Sequence, residues 1–528
     1  MGHCNMKKDL RICAKTGIPL DKPTRHRHMM WYFPAIGLAA LAWFLIRVLP
    51  KPSRAAYPCQ QASAPLAVGF VTWLIGLAAP LTLSRKARTL FDAGRLRSAG
   101  FLAALAMCAA AAWSLMSPSP ALRAFDAADP PYRLLDGPLS PVGVGRGISP
   151  GRVVWVRDPE AVSWNGSGSW WDDTYNNQQA IDGMLSRSIQ WLSNEKSDAK
   201  AWHALFQYFN GSHSRGRVGY KPGEKVAIKV NLNNTTDHGT NNRLNTSPHL
   251  TLSLVKQLIE VAHVKPSDIA VFDPSRFVPA NLFDKIHRLY PDVAFVDHIG
   301  GDGRLKAEFK VDAIPFSIAG RNATGIATTA VEATYLIDAS LLKGHVASGV
   351  TLSAKNLFGA TNINPDWRKN AHDHFNQNRD GTPSYSTFTD FLGHKDLGEK
   401  TMLFLIDALY ANDLVDDPPH LKWKMAPFNG DWPGSLFASQ DGVAIDSVGL
   451  DFLRSEWPHL ADLSYCDNYM REAALANDPP SKTFYDPERD GTKCNSLGVH
   501  EHWNNAVEKK YSRNLGRKEG IELYTRPI

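Results

Sequence analysis

The chain has 528 residues, a formal net charge of +6 and 44% hydrophobic residues, so it is long enough to bury a sizeable core in more than one structural unit. Residues 1–100 contain 15 of the 58 Lys and Arg residues but 3 of the 52 Asp and Glu residues. The rest of the chain therefore has a small excess of acidic residues, which argues against nucleic-acid binding by that part.

Three apolar runs predict a transmembrane helical segment of about three spans within residues 31–116. The runs are 31–49, 66–83 and 99–116, and each approaches the roughly 20 residues that cross a bilayer. Basic residues are concentrated in the leader, residues 1–30, and between the second and third runs. The positive-inside rule thus predicts a cytoplasmic N-terminus and a periplasmic or extracellular remainder. The alternative is that the first run is a cleaved signal peptide.

Residues 117–150 are rich in Pro and Gly, which predicts a linker between the membrane segment and one domain, residues 151–528. Cys466 and Cys494 would both lie outside the cytoplasm. Because such compartments allow disulfides, these cysteines could form a bridge or remain two free thiols, and the sequence leaves both alternatives open.

Strand and helix signals alternate along residues 151–528. Short apolar runs predict strands, and helical periodicity or N-cap residues predict helices between them. This alternation indicates an α/β domain with a mainly parallel sheet flanked by helices. Strands are predicted at 152–156, 225–232, 268–273, 293–297, 334–338, 402–407 and 435–439, and helices at 176–194, 248–264, 281–290 and 443–455.

Polar residues stand near the ends of several predicted strands, where an α/β sheet exposes its ligand site. Lys229 and Asn231 lie near the end of one strand, and Lys343 and His345 follow the strand that is predicted to end at Asp338. Convergence of these groups would favour binding of an anion. The structural alternatives are that strand-end aspartates cap turns, that Lys229 lies on a solvated face and that His345 is a structural histidine.

The densest polar pattern is LLKGHVASGVTLSAKNLFG, residues 341–359. It places Lys343, His345, Lys355 and Asn356 among small and apolar residues. A buried charge is costly unless it is paired, so such residues are usually neutralised by a partner or reserved for a ligand. We interpret this segment as functional.

Several segments resemble, in chain order, the domain of unknown function 362 family over roughly residues 150–510. They are KVAIKVNLN, TSPHL, residues 341–359, MLFLIDALY and SQDGVAIDSVG. Some relatives carry a ferredoxin-like cysteine cluster, but this chain has no closely spaced cysteines, so an iron–sulfur cluster is not expected. The resemblance implies nine characteristic polar positions, which are Lys229, Asn231, Lys343, His345, Lys355, Asn356, Asp407, Asp441 and Asp446.

We hypothesise a membrane-anchored extracytoplasmic enzyme that acts on a small anionic substrate. Lys229, Asn231, Lys343 and Asn356 are assigned to substrate binding. His345, Lys355 and Asp407 are assigned to catalysis, and a divalent metal could be held by Asp407, Asp441 and Asp446. The alternative is a non-catalytic ligand-binding or assembly component of a membrane or redox complex. No motif in the sequence names a reaction class.

Two His-x-His pairs offer further metal candidates. His372 and His374 form one pair, and His500 and His502 flank Glu501 in the other. This spacing suits a strand or loop metal site but not one face of a helix. A solvent-exposed polar turn is the alternative for each pair.

Overall fold

The computed structural model describes residues 135–526 except residue 234 and residues 346–347, 363–382, 414–417 and 458–466, together with residues 85, 86, 88–91, 93, 95, 98 and 102. The chain divides into two compact units, Met1–Arg123 and Ala124–Ile528. Apart from residue 102, the three predicted spans lie outside the described residues. Among the residues that are described, no helix is long and apolar enough to cross a membrane.

The second unit alternates strands and helices. The strands are β1 (Val142–Gly143), β2 (Arg152–Arg157), β3 (Val226–Val230), β4 (Ile269–Asp273), β5 (Ala294–Asp297), β6 (Leu305–Lys306), β7 (Phe309–Ile314), β8 (Thr324–Ala327), β9 (Tyr335–His345), β10 (Gly349–Thr351), β11 (Thr401–Asn412), β12 (Ser435–Ser439), β13 (Val499–His500) and β14 (Glu522–Tyr524). The helices are α1 (Gln178–Ser193), α2 (Asp198–Ser212), α3 (Pro248–Lys256), α4 (Ala280–His287), α5 (Thr328–Glu332), α6 (Ser353–Phe358), α7 (Thr387–Gly393), α8 (Gly442–Glu456) and α9 (Asp467–Ala474).

Ten of these strands form one mixed sheet in the order β14-β2-β12-β11-β9-β3-β4-β5-β6, with β10 paired to β9. The run from β11 to β6 is parallel throughout. Strand β12 is antiparallel to both of its neighbours, β11 and β2. A mixed sheet with flanking helices confirms the predicted α/β class.

Both faces of the sheet are covered, which explains why its central strands are apolar runs rather than alternating patterns. On one face, Val226 and Ile228 of β3 pack in a cluster with residues of α1, α2, α3 and α4. On the other face, Ala227 of β3 packs in a cluster with residues of α6, α7, α8 and α9. Lys229 alternates with these residues and projects from the same face as Ala227.

The helices begin where the sequence predicts good caps. Ser247 is the N-cap of α3, its hydroxyl accepts the His249 N–H at 3.2 Å, and Pro248 occupies the first turn. Helix α3 ends earlier than predicted because a π-helical turn, Gln257–Val261, continues it. Asp441 is the N-cap of α8.

Two predicted strand ends were wrong. Asp338 and Asp407 were each expected to close a strand, but both lie inside longer ones, β9 and β11. Strand β9 continues through Lys343 to His345, where β10 folds back and pairs with it. Polar residues are accommodated inside these buried strands because neighbouring groups satisfy their hydrogen bonds.

The described part of the predicted linker, residues 135–150, packs on the domain. Strand β1 pairs with β13. The Leu135 N–H donates to the Asp467 carboxylate at 2.5 Å, and Asp136 lies 3.2 Å from the guanidinium of Arg471. Cys494 is half-buried, and because Cys466 lies outside the described residues, the disulfide remains a prediction.

Candidate functional site

The order of the strands reverses between β3 and β9, and we call the region at the carboxyl ends of these two strands the crevice. From β3 the chain moves outward through β4, β5 and β6, and then returns to the other side of β3 to form β9 and β11. In open α/β sheets, ligands bind outside the carboxyl ends of the strands at the point where this order reverses. Lys229 and Asn231 lie at the carboxyl end of β3, and Lys343 and His345 lie at that of β9.

Lys229 is fully buried and has three polar partners. Its Nζ donates to the Val230 carbonyl at 2.7 Å and to Asn356 Oδ1 at 3.2 Å, and it lies 3.3 Å from Asp273 Oδ2. Asp338 is the register partner of Lys229 on β9 and projects from the same face. Burial lowers the pKa of Lys229, and the carboxylates of Asp273 and Asp338 oppose that effect. These partners hold Lys229 Nζ in place at the carboxyl end of β3.

Asn356 connects the two sides of the crevice. Its Oδ1 accepts from Lys229 and from Asn231 Nδ2 at 3.3 Å, while its Nδ2 donates to Asp338 Oδ1 at 2.6 Å. The amide of Asn356 can satisfy an ammonium and a carboxylate together because it both accepts and donates. Gly359 leaves room for this ammonium, since a Cβ there would lie 2.9 Å from Lys229 Nζ.

Lys343 and His345 complete the β9 side. Lys343 is buried, and its backbone register places it opposite Thr351 of β10 and Asn412 of β11. His345 Nδ1 accepts the Ser348 N–H at 3.2 Å. In a neutral imidazole the second nitrogen then carries the proton, so His345 Nε2 is a donor.

Positive charges converge at this edge. Burial, and after it the positive charges of Arg276, Lys343 and Lys229, together lower the pKa of Lys355 to about 7. Three cationic side chains therefore lie within electrostatic range of Lys355, and we call the four residues the cationic cluster. A group of like charges is held together only at a cost, and an anionic ligand would offset that cost.

Arg276 was not predicted from the sequence. It follows β4 by three residues, and its guanidinium donates to the Asn233 carbonyl at 2.8 Å and to Asn233 Oδ1 at 2.9 Å. One sequence signal could have revealed Arg276: it stands just after β4, a strand that ends at the same edge of the sheet as β3. Arg276 also lines a cavity of about 790 Å³ together with Ser275, Phe277 and Lys306. We call this the edge cavity.

The structure gives Asp407 a structural position. Its Oδ2 accepts the Ser247 N–H at 2.7 Å and its Oδ1 accepts the Leu409 N–H at 3.0 Å. Asp407 alternates with Ile406, which packs in the cluster around α6 and α8, so its side chain projects from the opposite face of the sheet from Lys229. Burial raises the pKa of Asp407 to about 6. Its assignment to a metal site with Asp441 and Asp446 is corrected accordingly.

Asp441 and Asp446 are likewise bound by backbone donors. Asp441 Oδ1 accepts the N–H groups of Val443 and Ala444 at the start of α8. Asp446 accepts the N–H groups of Ser353 at 2.8 Å and Ala354 at 3.0 Å. Asp446 therefore fixes the first turn of α6, the helix that carries Lys355 and Asn356. Burial raises the pKa of each carboxyl to about 6.

In the part of the chain that the structure describes, the carboxylates and imidazoles do not form a recognisable metal centre. Within the described parts of the chain, no group of three or more His, Cys, Asp and Glu side chains is arranged to hold a metal ion. His372 and His374 lie outside those parts. His500 and His502 are fully buried, so the expectation of a solvent-exposed turn was wrong. His502 Nδ1 lies 2.9 Å from Asp451 Oδ1.

A family comparison covers the part of the chain that contains the candidate site. Residues 226–451 match the family model described as Domain of unknown function (DUF362), which supports the resemblance drawn from the sequence. The match begins at β3, ends within α8 and includes all nine polar positions that the resemblance implied. No curated protein matches the chain. The family description names no activity, so the function has to be argued from the side chains.

Proposed function

We propose that the chain is a membrane-anchored relative of the DUF362 family that lacks an iron–sulfur cluster. In this proposal the second unit is an extracytoplasmic enzyme that acts on a small anionic substrate. The substrate binds in the crevice between β3 and β9. The observation that carries the proposal is the convergence of Lys229, Lys343, Lys355 and Arg276 at the carboxyl edge of a parallel sheet.

The four cations differ in what they can offer a ligand. The ammonium of Lys229 is already bound by Asp273, Asn356 and a carbonyl, and the guanidinium of Arg276 donates to Asn233. These two side chains supply fixed positive charge. Lys355 is half-buried, so a ligand that arrives from solvent can reach it. We therefore assign Lys355 to direct contact with the substrate and Lys229 to orienting and charge stabilisation.

Proton transfer has two candidate groups in this arrangement. The amine of Lys355 has a pKa of about 7 and can both accept and release a proton near neutral pH. His345 can donate through Nε2 because Nδ1 accepts from the backbone. An anionic substrate would thus be held by fixed charges beside two groups that exchange protons.

Anion binding is tested by calorimetric titration of the purified protein with inorganic phosphate, sulfate and malonate. We expect Lys355→Met to weaken binding of at least one of these anions by about tenfold or more, because one charge interaction of about 1.4 kcal/mol is lost. Lys355→Arg keeps the charge and should bind within a few-fold of the wild type. Lys196→Met, at an exposed lysine between α1 and α2, is the matched control.

The proposal fails if Lys355→Met binds all three anions as the wild type does while its free energy of unfolding falls. That result would make Lys355 a structural residue. Turnover of a substrate by the isolated protein supports an enzyme. Stable co-purification of inactive protein with a membrane complex in mild detergent would support the non-catalytic alternative instead.

The extracytoplasmic location is tested separately, because it depends on the first hundred residues alone. Alkaline phosphatase, which is active only after export, is fused after residue 130 in a bacterial host. We expect an active fusion if three spans precede the domain. An inactive fusion, together with an active cytoplasmic reporter at the same position, would reject this orientation.

A further inference from the structure

We propose that Lys355 is a covalent nucleophile that forms an imine with an anionic carbonyl compound such as a 2-oxo acid. This inference rests on the proposed function, because the same cations would hold the carboxylate of the substrate. It goes further by naming a reaction step and a chemical class of substrate.

The first support is the exposure pattern of α6. Five of its six residues are buried, and Lys355 is the exception. The helix is fixed at both sides of Lys355, because Asp446 binds the N–H groups of Ser353 and Ala354 and the side chain of Asn356 bonds to Lys229 and Asp338. A rigid backbone thus holds one partly exposed lysine directly before Asn356, which bonds to Lys229, and a nucleophile requires such fixed positioning.

The second support is the environment of the amine. A lysine attacks a carbonyl as the neutral amine, and burial next to other cations is a known way to favour that form. Arg276, Lys343 and Lys229 supply this environment for Lys355, whose pKa is lowered to about 7. The Phe358 ring lies 4.6 Å from Lys355 Nζ and favours the ammonium form, so it acts in the opposite direction.

The third support is the match between the site and an oxo acid. Such a compound carries a carboxylate next to an electrophilic carbon, so one end can pair with a fixed cation while the other meets an amine. Arg276 is shared by the cationic cluster and the edge cavity, which provides about 790 Å³ for the rest of the molecule. This volume lies within the usual range for small-molecule pockets.

The step balances without any further reagent. The lone pair of Lys355 Nζ forms a bond to the carbonyl carbon, and the carbon–oxygen π electrons move to oxygen, which takes up a proton. The nitrogen, which became positive on attack, then gives up one proton to solvent and regains its lone pair, and the hydroxyl takes up a second proton from solvent. Loss of water, with the nitrogen lone pair forming the second C–N bond, gives the protonated imine. The positive nitrogen can then draw electrons from a neighbouring bond of the substrate.

The experiment is reductive trapping of the full-length protein. The protein is incubated with pyruvate, 2-oxoglutarate or the neutral ketone butanone, then treated with sodium borohydride, digested and analysed by mass spectrometry. Borohydride transfers hydride to the imine carbon and leaves a stable secondary amine on the lysine. We expect the adduct on the peptide that contains Lys355. An oxo acid should give about tenfold or more adduct than butanone, because pairing of its carboxylate with one cation changes the affinity by about that factor.

Lys355→Arg separates this inference from the proposed function. The variant has no amine that forms a stable imine, so it should give no specific adduct, and its phosphate affinity is measured beside that of the wild type. A wild-type protein that binds phosphate but gives no adduct on Lys355 would overturn the imine and leave anion binding intact. Equal labelling of many surface lysines in both proteins would also overturn it. If the variant does not fold, peptide mapping of the wild type decides the question.

The pH dependence of trapping provides a second measurement. The charged groups around the amine are Arg276, Lys343 and Lys229, and Asp273 and Asp338 lie next to Lys229. We expect the initial rate of trapping to rise between pH 6 and pH 8 and then level off. A rate that rises only above pH 9, as for an ordinary lysine, would contradict an activated amine.

Discussion

The buried carboxyl of Asp407 allows two interpretations, a catalytic role and a structural one. It was assigned to catalysis because it belongs to a conspicuous apolar run, yet both of its oxygens bind backbone N–H groups, of Ser247 and Leu409. Burial raises its pKa from an ordinary 3.8 to about 6. The folded protein therefore retains this proton to a higher pH than the unfolded chain. Its contribution to stability is present below about pH 4 and is lost as the pH rises to about 6.

This carboxyl gives a pH-dependent prediction for Asp407→Asn. The difference in free energy of unfolding between variant and wild type should shift by about 3 kcal/mol in favour of the variant between pH 4 and pH 7, because asparagine has no charge to bury. Urea unfolding at several pH values measures the shift. Leu409→Ala removes a buried apolar side chain from the same strand. The difference in free energy of unfolding between this variant and the wild type should therefore not change with pH. A constant difference for Asp407→Asn would contradict the prediction.

Helix α6 depends on α8 for its first turn. The Asp446 carboxylate accepts two N–H groups of α6, so the position of Lys355 depends on a residue about ninety positions away. Helices this short are not stable alone and need such caps and packing. The link between α6 and α8 therefore belongs to the architecture of the site, even though Asp446 contacts no ligand.

Asp446→Ala should loosen α6 selectively. We expect hydrogen exchange of the amides in α6 to accelerate by about tenfold or more, which corresponds to a loss of about 1.4 kcal/mol in local stability. Amides of β3 should change less. Tyr469→Phe is the matched control, because it removes the hydroxyl that donates to Asp446 at 2.9 Å but keeps both backbone bonds. Equal acceleration in α6 and β3 would indicate global destabilisation and would reject the local role.

The elements themselves were largely predictable. Strands buried on both faces are short apolar runs, and β3, β4, β5 and β12 were found within one or two residues of their predicted bounds. The extensions of β9 and β11 were not predictable, because a polar residue in a strand signals an end unless its partner is known. Asp338, for example, is satisfied by Asn356, which is eighteen residues further along the chain.

The site was predictable in part, for a similar reason. Four of its residues occur in one conspicuous segment, residues 341–359, and Lys229 and Asn231 in another. The structure brings Lys229, Asn231 and Asn356 into direct contact. Arg276 was missed because it stands alone in its segment, and the aspartates were overinterpreted because backbone N–H groups, which no sequence pattern displays, are their partners.

The ends of the second unit are joined by a buried network of charges. His502 Nδ1 lies 2.9 Å from Asp451, and Asp467 accepts the N–H of Leu135 near the start of the unit. Burial would lower the pKa of His502, but the carboxylates of Asp451 and Asp467 raise it above 6.5 overall. The Arg454 and His502 charges lower the pKa of Asp451 in spite of its burial. The ionised network therefore stabilises the unit at intermediate pH.

His502→Ala should destabilise the whole unit. We expect the free energy of unfolding to fall by about 3 kcal/mol or more at pH 6, because buried carboxylates lose a charged partner. The loss should become smaller as the pH rises through the pKa of the folded-state imidazole, where the wild type loses the same charge. Urea unfolding at pH 6 and pH 9 tests this expectation, with His203→Ala on the exposed side of α2 as the control. An equal loss at both pH values would contradict it.

The cationic cluster at the β3–β9 crevice also couples ligand binding to the uptake of protons from the buffer. An anion that settles beside Lys355 reduces the repulsion from Arg276 and Lys343, so the amine should take up part of a proton when the complex forms near pH 7. The heat of binding should then vary with the ionisation enthalpy of the buffer, and the affinity should fall as the solution becomes more alkaline. Lys355→Arg should show neither effect, since its side chain stays charged throughout.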